Sequence, residues 1–291
     1  MVDLHIHSNK SSDGALSPAE IVQLARRKGM RAIAIADHDT TAAYPDAVLQ
    51  GKKAGVEVIP SVELTTRFGK REFHLLLPLI DWKRPQVREL TTEVARRRIV
   101  EAKDRVRKLN EIGLDVTWED VLVEAGRHPP VGVTIALALL KKAKNNGDSF
   151  FQRYYNAEKD EFAPFRFYED YLMPGKKAAV PRRTMDLFKV LQSSKRTGGV
   201  PVLAHPGAAF MQADRTDLER LKALGLEGLE VYTSYHDCAQ TAAYKDMADE
   251  LGLIATAGSD FHGPLKPGVP FGCIQDGTYD MVERLRERSF S

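Results

Sequence analysis

Val2-Asp3-Leu4-His5-Ile6-His7-Ser8 opens the 291-residue chain as an apolar strand with two histidines set into it. Side chains alternate along a strand, so His5 and His7 share one face while Val2, Leu4 and Ile6 turn to the other, toward a core. Two imidazoles on one side of a strand end make a ready pair of metal ligands. Alone, such a pair reads better as two surface histidines, because short motif matches are often accidental. The rest of the chain reverses that reading.

A polar loop, residues 9–16, follows the first strand and contains Ser12-Asp13-Gly14. Ser17-Pro18-Ala19-Glu20 is a capping box with proline at the first helical position, so a helix starts there and runs to Gly29. Residues 31–36 form a short apolar run, as in a buried parallel strand, and end in Asp37-His38-Asp39. A helix is expected over 41–54. A third strand, 56–62, ends in Glu63, and a fourth, 72–79, carries His74. Strands alternating with helices, with polar groups at the carboxyl ends, predict a β/α barrel or a doubly wound sheet whose chemistry lies along that edge.

Alternation stops near Pro85. A long charged helix is expected over 86–112, with the basic cluster Arg96-Arg97-Arg98 read as a solvated face. Further helices are expected from Thr117 and over 134–144, 148–157 and 165–172, with a basic exit loop, Pro174-Gly175-Lys176-Lys177. Alternation resumes with a helix over 184–197 and a strand, 200–204, that delivers His205-Pro206-Gly207. A helix over 214–224 precedes the strand 228–232, which delivers Glu230, Tyr232 and, beyond it, His236. After a helix over 238–251, the strand 253–257 delivers Gly258-Ser259-Asp260-Phe261-His262. A strand near 271–275 and a helix over 278–288 close the domain.

Composition limits the function classes. A net charge of +2 announces neither nucleic-acid nor membrane binding by bulk electrostatics. Cys238 and Cys273 lack any paired spacing, so neither a disulfide framework nor a zinc–thiolate clip is expected. No apolar run approaches a membrane span. No leader precedes the first candidate ligands, and a cytoplasmic protein is expected.

The chain has eight histidines. His5, His7, His38, His74, His205 and His262 fall on or just after expected strands, and His236 follows another. His128 reads as an ordinary loop histidine. Asp13, Glu63 and Asp260 join the same edge. Histidine with carboxylate, and no cysteine, suits Zn²⁺, Mn²⁺ or Fe²⁺. These nine groups are too many for one ion and enough for two or three.

Together the motifs Asp3-Leu4-His5-Ile6-His7 with Ser12-Asp13-Gly14, Ala36-Asp37-His38-Asp39, Val62-Glu63, His74, Ala204-His205-Pro206 and Gly258-Ser259-Asp260-Phe261-His262 resemble the PHP (polymerase and histidinol phosphatase) family of metal-dependent phosphoesterases. They span residues 3–262 in family order. The resemblance implies a distorted seven-stranded β/α barrel over residues 1–84 and 178–291, with an inserted helical substrate-capping subdomain over 85–177. It implies three divalent metal ions, Mn²⁺ first and Fe²⁺ or Zn²⁺ as alternatives. One would take His5, His7, Glu63 and Asp260. A second would share Glu63 and take His74 and His205. The third would take Asp13, His38 and His262. Aspartate at position 13, and an insertion ending in a loop like Gly175-Lys176, resemble the branch of 3′,5′-nucleotide phosphatases and 5′–3′ exoribonucleases. Two features depart from that branch: Ile135 follows Val133-Thr134 where a basic residue is expected, and His236 is an additional histidine. A related group opens small cyclic phosphodiesters, and His236 is the acid such chemistry would need.

The expected reaction is hydrolysis of a phosphate ester on a small nucleotide or sugar phosphate, or on short oligonucleotides, by a hydroxide bridging two ions at Glu63. Glu63 and Asp260 are expected in that catalytic centre and His236 as general acid and substrate contact. Lys176, Arg182 and Arg183 are expected to meet phosphoryl oxygens. Asp37 and Asp39 should orient ligands, and Thr65, Thr66 and Arg67 should line the mouth. The alternatives are a cyclic phosphodiesterase, a C–N bond amidohydrolase, which would want a lysine at a strand end, and a non-catalytic metal-bound module. Neither a membrane nor an obligate protein partner is expected.

Overall fold

The computed structural model describes residues 1–155 and 163–289. The chain divides into two compact units, one formed by Met1–Thr92 with Met185–Ser291 and the other by Glu93–Thr184.

The first unit carries the strands. β1 (Val2–Ile6), β2 (Ala32–Ile35) and β3 (Glu57–Pro60) pair in parallel in that order. β4 (Glu63–Phe68), β5 (Arg71–Leu76), β6 (Met185–Asp186), β7 (Val202–Leu203), β8 (Gly228–Thr233) and β9 (Ile254–Gly258) form a second sheet in the order β6-β4-β5-β7-β8-β9. The architecture is mixed α/β. Among the described residues, nine strands lie in two sheets, where one closed seven-stranded ring was expected.

One extra strand is half of a hairpin, and the other, Met185–Asp186, pairs in parallel with β4 at the start of the segment expected as a helix over 184–197. The sequence reading ended a strand at Glu63 and expected Thr65, Thr66 and Arg67 to line the mouth beyond it, but Glu63–Phe68 is itself a strand. It pairs antiparallel with β5 from Glu63↔Leu76 to Phe68↔Arg71. Gly69, at φ +63°, supplies the left-handed residue that a two-residue hairpin loop requires. Short threonine-rich strands are poorly separated from loops by apolar periodicity, and this one was missed for that reason. The strand expected near 271–275 is irregular chain.

The two sheets approach at two seams. Ile6 and Phe261 form an isolated parallel bridge, with His7 N–H donating to Phe261 O (2.8 Å) and Asp260 N–H to His5 O (2.8 Å). His38 and Glu63 form another, with Asp39 N–H donating to Glu63 O (2.8 Å). Six of the nine candidate ligands, His5, His7, His38, Glu63, Asp260 and His262, therefore lie within one residue of a seam bridge.

Most helices begin where the caps place them. Ser17 and Glu20 close their capping box at the start of Pro18–Arg27, and Asp214 and Asp237 do the same for Arg215–Ala223 and Cys238–Leu251. Val2, Leu4, Ala34, Ile59, Val202 and Ile254 form one buried cluster, and Ile6, Ile21, Ile33, Ile35 and Phe261 another.

The second unit is helical. It takes over from the helix Pro85–Glu111 and continues through Trp118–Ala125, Gly132–Asn145 and Ala163–Phe167 to a π-helical turn, Tyr168–Leu172. Leu109, Ile135, Leu139, Phe151 and Phe167 form its core. The helix expected over 148–157 is a 3₁₀ turn, Ser149–Phe151, followed by Gln152–Tyr155, and its last two residues lie outside the described residues. In the basic cluster, Arg96 and Arg97 pair with Glu93 on their own helix. None of the described helices is long and apolar enough to cross a membrane.

Candidate metal centre

Nine sequence-predicted ligands converge in the first unit. His5 Nε2, His7 Nε2, Glu63 Oε2 and Asp260 Oδ1 face one another: His5–Glu63 is 3.3 Å, His5–Asp260 3.2 Å, His7–Glu63 3.2 Å and His7–Asp260 2.9 Å. The other oxygen of Glu63 lies 2.9 Å from His74 Nδ1 and 3.2 Å from His205 Nε2. Asp13 Oδ2 lies 3.4 Å from His38 Nε2 and 3.5 Å from His262 Nε2. Three groups have ligand atoms close enough to surround an ion: His5-His7-Glu63-Asp260, His7-Asp13-His262 and His38-Glu63-His74.

These residues fit divalent ions on the chemistry of the donors alone. Glu63 Oε2 is buried and makes no hydrogen bond. Yet His5 Nε2, His7 Nε2 and His38 Nδ1 lie 3.3, 3.2 and 3.1 Å from it. An oxygen ringed by three imidazole nitrogens, none aligned to donate, is arranged for a cation among them. His5 Nε2 and His7 Nε2 likewise meet head-on at 3.1 Å.

Neighbouring groups set the ring orientations. His5 Nδ1 donates to Glu230 Oε1 at 3.0 Å, which turns Nε2 toward Glu63. His262 Nδ1 donates to Asp260 O at 2.8 Å, which turns its Nε2 toward Asp13. Asp37 accepts from Ser8 N–H and Oγ–H, both at 2.6 Å, and from Ser11 Oγ–H at 3.1 Å, so it anchors the loop that bears Asp13. Two of the motif glycines are explained by close approach. A Cβ on Gly14 would stand 2.1 Å from Ser8 O, and one on Gly258 would stand 2.1 Å from Glu230 Oε1 and 2.3 Å from His5 Cβ. Asp260 and His205 themselves have positive φ, 55° and 26°, a strained backbone of the kind found at functional sites.

Burial and the attraction of neighbouring charges pull in opposite directions on His5, His7, His38, His74, Glu63 and Asp260. Burial works to lower His5, but Glu230, Glu63 and Asp260 hold it well above the ordinary imidazole value. His7 is pushed up to about 10 against burial by Asp260 and Glu63, and His74 to about 10 by Glu63 and Glu72. His38 goes the other way, to about 4, because burial prevails there. Burial would raise Glu63 and Asp260, but the surrounding histidines keep both carboxyls well below their usual range. Protons and metal cations therefore compete for the same nitrogens.

Other expected site residues are placed differently. His236 Nδ1 donates to Val231 O at 2.8 Å and its Nε2 accepts Gly207 N–H at 2.9 Å, so both ring nitrogens are engaged by main chain. Its ring stacks on Tyr244, and burial lowers its pKa. Thr66 does not line a mouth: strand alternation turns it away from Glu63, and its buried hydroxyl donates to Phe73 O at 2.7 Å. Lys176, Arg182 and Arg183 belong to the second unit. There Arg182 donates to Tyr168 Oη and Arg183 to Asp104. Lys176 is exposed.

Three neighbours of the ligand set had no role in the sequence reading. Glu230 was visible as a carboxylate on a strand but had no assigned partner. Lys266 Nζ lies 2.7 Å from Asp260 Oδ2 and 2.7 Å from Tyr235 Oη, and Tyr235 O–H donates to the same Oδ2 at 2.9 Å. Lysine four residues beyond the last motif histidine carries no spacing signal of its own.

Comparison with known proteins agrees with this geometry. A family model described as PHP domain matches residues 3–114. A 5′-3′ exoribonuclease of Haemophilus influenzae is 30% identical over 272 residues, 90% of each chain. A 3′,5′-nucleoside bisphosphate phosphatase of Chromobacterium violaceum is 29% identical over 94% of this chain and 92% of that one. A solved structure from Bifidobacterium adolescentis, assigned as a metal-dependent phosphoesterase, superposes with a TM-score of 0.80 at 27% identity, covering 100% of this chain and 96% of that one.

Proposed function

The chain belongs to the PHP-domain family, and from that premise we propose that it is a metal-dependent phosphoesterase that removes phosphate from a small nucleotide of the 3′,5′-bisphosphate type. The observation that carries the reading is Glu63, whose two oxygens reach five imidazoles from four separate chain segments.

In this reading His5, His7, Glu63 and Asp260 hold one ion, Glu63 with His74 and His205 a second, and Asp13 with His38 and His262 a third, Mn²⁺ before Fe²⁺ or Zn²⁺. Such ions supply Lewis acidity to phosphoryl oxygens and a nucleophilic hydroxide near neutral pH. The chain's own groups do the positioning. Glu230 fixes His5 Nε2 inward, and Asp37 holds the Asp13 loop. Tyr235 O–H and the Lys266 ammonium occupy Asp260 Oδ2, which leaves Oδ1 for the ion side. Lys266 also brings positive charge to the edge of the ligand set, where a phosphoryl oxygen would bind.

We read the two sheets as walls of one distorted barrel, a reading supported by the bridges at Ile6–Phe261 and His38–Glu63. A cytoplasmic location accords with a small phosphorylated substrate. The ring-opening alternative would need its own acid, and the engagement of both His236 nitrogens favours the bisphosphate reading.

Phosphate release tests it. Metal-reconstituted protein should liberate phosphate from adenosine 3′,5′-bisphosphate and little from a small cyclic phosphodiester. Release from the cyclic ester alone would replace the reading with the alternative, and release from neither would overturn both.

A further inference from the structure

Phe210 is 51% exposed, yet it stands against the metal ligands. Its ring centroid lies 5.6 Å from that of His74, 5.5 Å from His205 and 6.0 Å from Tyr235. A single exposed aromatic on a protein surface is ordinary. One within ring contact of two ligands of a phosphoryl site is not explained by chance scatter alone.

The loop that carries it is built to hold it out. Ala213 N–H donates to Pro206 O (2.8 Å), which closes the loop at its base. Ala208 and Met211, on either side, are buried and act as anchors. His236 Nε2 receives Gly207 N–H, and Tyr244 Oη lies 3.0 Å from Pro206 O and 2.9 Å from Ala213 O. A Cβ on Gly207 would meet His236 and Tyr244 at 2.8 Å, so that residue must be glycine for the loop to seat. The loop is thus pinned from three sides, and the Phe210 ring faces outward while Met211 is buried. Pre-organisation of this kind reduces the ordering cost of binding.

We propose that Phe210, with Tyr235 at its side, is the platform on which the planar base of a nucleotide substrate stacks. This rests on the phosphoesterase reading above. The two rings cross at 82° and make a corner: one presents a face and the other an edge. A base hangs one pentose away from its phosphate, and this corner stands one ring contact away from His74 and His205, the imidazoles that flank Glu63 Oε1. Aromatic faces accept any base, because every base has a π-face. Phe210 is therefore a specificity-determining residue for the presence of a base, not for its identity. His236 belongs to this device as a positioning residue, because it ties the loop to β8.

The test compares ligands that differ only in the base. Binding of adenosine 5′-monophosphate and of ribose 5-phosphate to metal-reconstituted protein is measured by calorimetry, for the native chain, Phe210→Ala and Phe210→Trp. The native chain should favour the nucleotide. In Phe210→Ala that preference should fall about tenfold, as removal of one stacking ring does, with metal content and circular dichroism as in the native chain. Phe210→Trp should keep it. Equal affinity of the native chain for both ligands would overturn the proposal, as would an equal loss for both in Phe210→Ala. A base preference in a protein that hydrolyses no bisphosphate would overturn the phosphoesterase reading and leave the platform standing.

Discussion

The carboxylate of Glu230 is divided between two histidines: Oε1 takes His5 Nδ1–H at 3.0 Å, and Oε2 accepts the backbone N–H of His205 at 2.8 Å. One side chain on β8 therefore sets the direction of a ligand on β1 and the position of another after β7. Glu230→Gln keeps the shape and removes the charge. We expect metal affinity to fall about 10- to 100-fold, the usual cost of losing such an outer partner, with the fold retained. Titration followed by elemental analysis checks it. Native affinity in the variant would mean that Glu230 orients nothing.

His7 and His236 should separate ligand from support. His7→Ala removes a side chain common to two of the three ligand groups, so metal and activity should be lost together. His236→Ala breaks two main-chain contacts, and its stability should fall by about 1–3 kcal/mol, as when buried hydrogen-bonded groups lose their partner. Its metal content should remain native. Metal analysis beside thermal melts decides; metal loss in His236→Ala would place it nearer the ions than its hydrogen bonds do.

Lys266 tests charge at the edge of the site. In Lys266→Met, Asp260 keeps its contacts to His5 and His7 and loses its cation. The expected result is full metal stoichiometry, a kcat/KM lower by about tenfold or more, and weaker inhibition by inorganic phosphate. Unchanged inhibition by phosphate would remove Lys266 from the binding of phosphoryl oxygens.

Proton release should accompany metal uptake. His7 and His74 stand near 10 in the protein alone, so at pH 7.5 both carry protons that a metal must displace. Calorimetry in buffers of different ionisation enthalpy should detect that release, shrinking as the pH approaches 10. The same shifts fix a sign for the metal-free protein. A histidine raised from its ordinary 6.5 contributes stability that is whole below that value and is lost as pH rises through about 10. A heat of uptake independent of buffer would contradict the charge state assigned to both rings.

Gly258 offers a steric check. A Cβ there would collide with Glu230 Oε1 and His5 Cβ, both in the supporting structure of one ion site. Gly258→Ala should reduce metal affinity at least as far as Glu230→Gln. Elemental analysis of the two variants, made in parallel, tests the order.

Much of this site is legible in the chain because its ligands are marked locally. Each of His5, His38, Glu63, His205 and Asp260 lies at or beside a strand end, and strand ends follow from apolar runs and caps within a few residues. Thr66 was misplaced because it lies inside a strand, where one residue of register decides which face a side chain takes. His236 was marked by type as an acid, but type does not reveal that Val231 and Gly207 already hold its two nitrogens.

The amino-acid order therefore determines the β/α frame, the inserted helical stretch and the nine candidate ligand positions, since those depend on periodicity, caps and residue chemistry over short spans. Tertiary structure alone decides that Glu63 is shared among five imidazoles, that Glu230 reaches His5 from 225 residues away, that Lys266 and Tyr235 meet on Asp260, and that Phe210 stands outward beside His74. Those are contacts between distant segments, fixed by how two sheets meet at their seams, and local pattern carries no record of which side chains such a meeting brings together.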